Sequence, residues 1–180
     1  MTSHPGAVET QRLFFALWPE EALQSQIARM TTALLPNHLG RRVSEANLHC
    51  TLVFLGTVRP DQRLCVEAAA DTVRVEPFTL TLDRFGYFRR PQVAWLGCQQ
   101  TPPSLRSLVS QLGQGCAVCG FPPEHRDYAV HLTVARRIAR DPGQLLVMPI
   151  DWPITRFALV ASVHEDGGLR YHPQRFWELT

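Results

Sequence analysis

The chain has 180 residues, 45% of them hydrophobic, and a formal net charge of +2 at pH 7. A chain of this length buries roughly 70% of its unfolded surface, so folding does not require a disulfide or a structural metal. The small net charge excludes the strong overall basicity that would by itself indicate a nucleic-acid-binding protein. We therefore expect one globular domain over residues 1–180.

No apolar stretch approaches the roughly 18 residues of a membrane span. The N-terminal segment also lacks the basic and apolar regions of a secretory signal. The chain has five cysteines, and an odd number is not typical of a secreted disulfide framework. We expect a cytoplasmic protein with no membrane association.

Two of the cysteines, Cys116 and Cys119, form a C-x-x-C pair. A structural zinc site would need two further ligands, and His125 is the only histidine close by. The flanking residues do not resemble a thioredoxin-like redox turn. We therefore interpret both cysteines as buried or half-buried thiols, and we expect no metal and no cofactor.

The first half of the chain predicts two strands and two helices. The aromatic-rich run "RLFFALW" at residues 12–18 is typical of a buried strand. Residues 19–35 begin with proline and two acidic residues, which favour a helix start, and continue with apolar residues at helical spacing. A second strand is expected over residues 48–56 and a second helix over residues 59–75.

The second half begins with residues 78–88, which alternate apolar and polar side chains and predict one strand. This strand is expected to pair with residues 92–98 in a hairpin. The elements expected next are a helix over 102–120, a strand over 130–136 and a polar loop over 140–151.

The chain ends with two predicted strands, at residues 154–165 and 170–179, on either side of the hairpin turn Asp166-Gly167-Gly168. Short strands, hairpins and three helices in this order predict an α+β fold with largely antiparallel sheets. A strand that contains a histidine and a threonine occurs once in each half of the chain. We therefore expect two similar lobes that face each other, each of which contributes one such strand.

The two histidine strands carry the same short motif. "LHCTLVFLG" contains His49 and Thr51, and "VHLTVAR" contains His131 and Thr133. Because residues i and i+2 of a strand point to the same face, each histidine shares a face with its threonine. Cys50 lies between the first pair and points to the opposite face, so we expect it to act as a small hydrophobic residue and not as a nucleophile.

Two imidazoles across a cleft can act as general base and general acid near neutral pH. Threonine hydroxyls can donate hydrogen bonds to phosphate oxygens without titrating. Such a set suits in-line attack on a phosphodiester without a metal ion. The alternative is that each threonine is only a strand former and each histidine a hydrogen-bonded core or surface residue, and the spacing alone does not exclude it.

The segments "RLFFAL", "NLHCTLVFLG", "VAWLG" and "HLTVAR", in this order, resemble the 2H phosphoesterases. The similarity is greatest to the bacterial RNA 2′,3′-cyclic phosphodiesterases, also called 2′–5′ RNA ligases. The resemblance implies a two-lobed, pseudo-symmetric α+β fold with the active-site cleft between the lobes and the helices on the outside. It implies metal-independent hydrolysis of RNA 2′,3′-cyclic phosphate ends to 2′-phosphomonoesters. It also implies reversible 2′–5′ ligation of RNA, with RNA ends, including tRNA fragments, as partners of a monomeric enzyme.

The resemblance also implies roles for the motif residues. His49 would donate a proton to the leaving 3′ oxygen, and His131 would activate the attacking water. Thr51 and Thr133 would hold the phosphate. The near-symmetry of the two motifs leaves the assignment of acid and base less certain than the pair itself.

The positive charge comes from arginine, whose guanidinium suits bidentate contact with phosphate. Arg136 follows His131 by five residues, so simple alternation places it on the other face of the strand, and it would contact RNA only from the strand end. Arg41 and Arg42 precede the first motif and could attract a polyanion, although a solvated loop explains them equally well. A different class of function, an RNA-end-binding module without catalysis, would not require two titrating groups.

Overall fold

The structure is a computed structural model that describes residues 9–123 and 127–180. The elements of the first half are β1 (Gln11–Leu17), α1 (Glu21–Leu34), β2 (Arg41–Arg42), β3 (Cys50–Val58), α2 (Pro60–Asp71) and β4 (Phe78–Leu82). Those of the second half are β5 (Arg84–Phe88), β6 (Val93–Gly97), α3 (Pro103–Val118), β7 (Leu132–Arg136), β8 (Ile150–Ile154), β9 (Arg156–Glu165) and β10 (Gly168–Glu178).

Eight strands form one sheet with the order β10-β9-β1-β3-β7-β6-β5, and the short β2 pairs with β7. The remaining strands, β4 and β8, form a separate two-stranded sheet. All the strand pairs described are antiparallel. The α+β prediction with largely antiparallel sheets is therefore confirmed.

The two motif strands meet at the centre of the large sheet. β3 pairs with β7 through one pair of residues only, Cys50 opposite Leu132. On the far side of β3 lie β1, β9 and β10, and on the far side of β7 lie β6 and β5. The sheet is thus made of two sets of strands that are joined at a single short contact.

The three helices cover one face of this sheet. β1 turns Leu13, Phe15 and Leu17 toward a buried core that also contains Ile27 of α1 and Leu108 of α3. The alternate residues of β1 point to the other face, where a smaller cluster forms, with Phe14, Ala16, Ala158 and Val160 as its buried members. The face without helices is the one that carries the histidines.

The prediction of one strand over residues 78–88 is wrong, because the segment divides into β4 and β5 at Asp83. The backbone N–H of Asp83 donates to Gly97 (3.0 Å), and its carboxylate accepts from Gln99 N–H (2.8 Å). β4 then pairs with β8, which overlaps a segment predicted as loop. Pro153 lies inside β8 and disfavours a strand in sequence analysis, but an edge strand tolerates it.

The cysteine interpretation is correct for Cys116 and wrong for Cys119. Cys116 is a buried thiol, and burial raises its pKa to about 11. Cys119 instead forms a disulfide with Cys65 of α2, 54 residues earlier in the chain. The two cysteines meet because α2 packs against α3, a contact that local sequence does not encode.

None of the helices within residues 9–123 and 127–180 is both long and apolar enough to span a bilayer.

Candidate active site

The four motif residues lie together where β3 and β7 meet. Each histidine immediately precedes its strand. Because Cys50 lies opposite Leu132, the antiparallel register places His49 next to Thr133 and His131 next to Thr51. Residues directly opposite each other in such a pair have neighbouring side chains, so the two motifs form one group on the helix-free face.

The two imidazoles are fixed in the same way. Nδ1 of His49 lies 2.7 Å from the carbonyl oxygen of Asn47, and Nδ1 of His131 lies 2.8 Å from that of Ala129. A carbonyl oxygen only accepts, so Nδ1 carries the proton in both rings. Nε2 is then a base when the imidazole is neutral and a proton donor when it is charged.

His49 is enclosed by three aromatic rings. The centroids of Phe14 and Tyr171 lie 4.9 Å from that of His49, and the Trp18 ring stacks on it at 5.7 Å with an interplanar angle of 10°. Burial lowers the pKa of His49 from 6.5 to about 4, although its hydrogen bond to Asn47 opposes this shift. The positive charge of Arg136, and that of His131 when it is protonated, lower the pKa further, so this imidazole is neutral at pH 7 before an anion binds.

His131 has a more open environment. Its aromatic neighbour is Phe88, whose centroid lies 5.7 Å away in an edge-to-face arrangement. Phe88 is itself 37% exposed. The two motifs therefore have the same backbone frame but different surroundings.

The threonines leave their hydroxyls available. Both threonine side chains are half-buried. Within the described residues, 9–123 and 127–180, the Oγ1 atoms of Thr51 and Thr133 have no protein hydrogen-bond partner. The backbone of Thr51 is held by Tyr128, whose hydroxyl donates to the Thr51 carbonyl oxygen (3.0 Å). Cys50 is fully buried, and burial raises the pKa of its thiol to about 11, which agrees with its expected role as a hydrophobic residue.

A β-bulge after each motif changes which residue comes next on the site face. In β7, the register on β6 shifts between Thr133 and Ala135, so Val134 and Ala135 are both buried and Arg136 is exposed. The expectation that Arg136 lies on the face opposite His131 is therefore wrong. In β3, the register on β1 shifts past Leu52, and this shift places the 50% exposed Phe54 on the face of Thr51.

The two arginines before the first motif differ. Arg41 is exposed, and its backbone lies opposite that of Arg136 where β2 pairs with β7. The guanidinium of Arg42 instead donates to the carbonyl oxygen of Leu35 (3.0 Å), so it supports the loop after α1. Arg41 and Arg136 are thus the better placed of the three for contact with a phosphate.

The sequence model of the 2′–5′ RNA ligase superfamily matches residues 19–166, a range that contains both motifs. The chain belongs to this superfamily. It is 35% identical to the RNA 2′,3′-cyclic phosphodiesterase of Escherichia coli, over 96% of this chain and 98% of that one. It is 32% identical to the protein of the same name from Thermotoga maritima, over 84% and 86% of the two chains. A crystal structure of E. coli LigT complexed with 3′-AMP superimposes with a TM-score of 0.87, at 34% identity, over 96% of this chain and 99% of that one.

These matches confirm the family resemblance that the motifs indicate. Beside the four motif residues, this member of the superfamily has further side chains at the site that the sequence analysis does not identify. Trp18 and Tyr171 enclose His49, and the backbone carbonyl of Asn47 positions its ring. Phe54 could have been identified from the sequence, because it follows His49 by five residues, as Arg136 follows His131. Tyr171 had none, since its position depends on the pairing of β9 with β1.

The zinc alternative has no support in the described part of the chain. Residues 9–123 and 127–180 contain no group of three or more histidine, cysteine or acidic side chains arranged to hold a metal ion. Cys119 is committed to Cys65, and His125 lies outside the described residues.

Proposed function

We propose that this superfamily member hydrolyses 2′,3′-cyclic phosphate ends of RNA to 2′-phosphomonoesters. The observation that carries the proposal is the pair of imidazoles at the β3–β7 contact, each with Nδ1 bound to a carbonyl oxygen and Nε2 left for chemistry. The names of the E. coli and T. maritima relatives, and the 3′-AMP in the E. coli LigT structure, support the same substrate class.

The reaction needs one base and one acid. Nε2 of His131 accepts a proton from water as the water oxygen forms a bond to phosphorus. Nε2–H of His49 donates a proton to the 3′ oxygen as the bond between that oxygen and phosphorus breaks. The hydroxyls of Thr51 and Thr133 donate to the non-bridging oxygens, where negative charge is concentrated.

His49 can donate a proton only after it has gained one. Its low pKa keeps the ring neutral in the empty site. A phosphodiester anion next to an imidazole favours the charged form, so substrate binding raises the pKa of His49. Binding is therefore coupled to proton uptake by His49.

The fifth residue after each motif histidine extends the site. Arg136 provides a guanidinium for an anionic oxygen, and its charge already acts on His49. Phe54 provides an aromatic face for the base of the terminal nucleotide. Arg12 lies over the Phe54 ring, with its guanidinium carbon 5.0 Å from the centroid, and keeps that ring beside positive charge.

The proposal is tested by the turnover of a 2′,3′-cyclic nucleotide by the wild-type chain and by His49→Ala and His131→Ala. We expect each variant to lose about 10²-fold or more in kcat/KM. Activity should follow a bell-shaped pH profile and persist in EDTA. His164→Ala is a matched control, because His164 is exposed on β9 and belongs to neither motif.

Full activity in both motif variants would end the proposal. Tight binding of RNA ends without turnover by the wild-type chain would favour the non-catalytic binding module instead.

A further inference from the structure

An open cavity of about 880 Å³ lies between the β5–β6 turn and the segment after β7. Three of the residues that line it are arginines. The residues that matter here are Tyr87, Arg89, Arg90, Gln92, Arg140 and Asp141. Nothing in the proposed reaction uses this cavity.

The cavity carries a net positive charge. Arg89, Arg90 and Arg140 form no ion pair with any carboxylate among residues 9–123 and 127–180. The carboxylate of Asp141, which also lines the cavity, accepts from Gly143 N–H (2.8 Å). The guanidinium groups are therefore available to an anion, and arginine binds phosphate with two parallel hydrogen bonds.

The two walls of the cavity are fixed to each other. Ile138 N–H donates to the carbonyl oxygen of Gln92 (3.1 Å), and the Tyr87 hydroxyl donates to that of Ile138 (3.3 Å). On the other side, Ala139 N–H donates to Leu39 (3.0 Å). Gln92 and Arg137 adopt left-handed backbone conformations with φ of 63° and 55°. Residues other than glycine keep this conformation only where the surroundings enforce it.

The cavity also adjoins the catalytic group. Phe88 contacts the ring of His131, and Arg89 is the next residue along the chain. On the other wall, β7 runs from Thr133 through the exposed Arg136 to the segment that carries Arg140. Exposed arginines thus extend from the motif strand toward the cavity.

We propose that this cavity binds the backbone phosphate of a nucleotide upstream of the cyclic end, so that the preferred substrate is an RNA strand and not a mononucleotide. This inference rests on the proposed function. A cyclic mononucleotide has a single phosphate, which the two motifs hold. A strand has further phosphodiesters, and only these can reach Arg89 and Arg140 while the terminal phosphate is at the histidines.

The test compares two substrates, a 2′,3′-cyclic mononucleotide and an RNA of about eight nucleotides with a 2′,3′-cyclic end. The variant is Arg89→Gln/Arg140→Gln, which removes one guanidinium from each wall. The charge-matched control is Arg29→Gln/Arg106→Gln, because both arginines are exposed on helices on the other face of the sheet. Thermal unfolding establishes that each variant is folded.

We expect the cavity variant to lose about tenfold or more in kcat/KM on the RNA and nothing on the mononucleotide. The slope of log kcat/KM on the RNA against log salt should become shallower by about 0.7, the value for one phosphate contact in a single strand. The control should match the wild type on both substrates.

The two proposals fail in different ways. If the wild type hydrolyses neither substrate, the proposed function is wrong. Suppose instead that the wild type hydrolyses both substrates, and that kcat/KM of the cavity variant is unchanged on the RNA or falls equally on both substrates. The cavity then does not bind upstream RNA, and the inference is overturned while the proposed function stands.

Discussion

The two halves of the site share one backbone design and differ in what surrounds it. In each half a histidine precedes a strand, and its Nδ1–H donates a hydrogen bond to the carbonyl oxygen two residues earlier. A threonine and then a bulge follow in each strand. His49, however, lies among Phe14, Trp18 and Tyr171, whereas His131 has Phe88 beside it and is otherwise more open.

This difference shows how a repeated motif can serve two chemical roles. The carbonyl contacts fix the same tautomer in both rings, so geometry alone makes the two imidazoles equivalent. The environment then separates them, because apolar rings disfavour the charged form of His49 until an anion is present. The arrangement resembles other acid–base pairs in which surroundings, and not residue type, distinguish donor from acceptor.

The largest effect should come from removing either motif histidine, and a change of the substrate's leaving group should then distinguish the two roles. His49→Ala and His131→Ala should each lose about 10²-fold or more on a 2′,3′-cyclic nucleotide. With a p-nitrophenyl nucleoside phosphodiester the leaving group needs no proton, so His49→Ala should recover most of its activity while His131→Ala should not. The ratio of kcat/KM on the two substrates, measured for each variant, separates donor from acceptor.

If the p-nitrophenyl substrate restores the activity of His131→Ala and not that of His49→Ala, the donor and acceptor roles are reversed. Equal recovery in both variants would mean that the two halves are not chemically distinct, in spite of their different surroundings.

The part of this site that sequence predicts is the part that depends on strand alternation. His49 and Thr51 share a face because they are two residues apart, and the same holds for His131 and Thr133. Arg136 shows the limit of this reasoning. A bulge inserts one residue, reverses the alternation beyond it, and brings Arg136 to the face of Thr133.

Tertiary contacts account for the other differences. Tyr171 reaches His49 because β10 pairs with β9 and β9 with β1, and no local pattern records that order. Cys119 bonds to Cys65 because their two helices pack together, and it does not bond to Cys116, which is closer in sequence. β8 contains a proline and forms only because β4 supplies a partner.

A second effect concerns the pH dependence of stability. The pKa of His49 is about 4 in the folded chain and 6.5 as the ordinary value. Between these values the unfolded chain binds a proton that the folded chain does not, so stability is full above pH 6.5 and falls as the pH is lowered toward 4. The loss amounts to up to about 3 kcal/mol.

Urea unfolding of the wild type, His49→Gln and His131→Gln at pH 7 and pH 4.5 measures this loss. The difference between the two pH values should be smaller in His49→Gln than in the wild type, while His131→Gln serves as the matched control from the open half. Inorganic phosphate should reduce the loss in the wild type, because an anion raises the pKa of His49. If His49→Gln behaves as the wild type does, the aromatic enclosure does not hold the ring neutral.

The smallest effect should come from Asn47, which links His49 to β10 and has no counterpart side chain at Ala129. Its carbonyl oxygen accepts from His49, its Nδ2 donates to Leu169 (3.0 Å), and its Oδ1 accepts from Tyr171 N–H (3.3 Å). Asn47→Ala keeps the carbonyl and removes both side-chain bonds, so we expect a loss of about 1–2 kcal/mol in the free energy of unfolding.

Because His49 and Tyr171 then lose their common support, kcat should fall about tenfold with KM nearly unchanged. The pKa of His49, followed by NMR, should rise as Tyr171 moves away. Asn47→Asp keeps the acceptor for Tyr171, so its kcat should lie between that of the wild type and that of Asn47→Ala. Asn37→Ala, on an exposed turn, is the control. If kcat and the pKa of His49 stay at their wild-type values in Asn47→Ala, the link to β10 only stabilises the fold, and the backbone carbonyl alone is sufficient to position His49, as it is for His131.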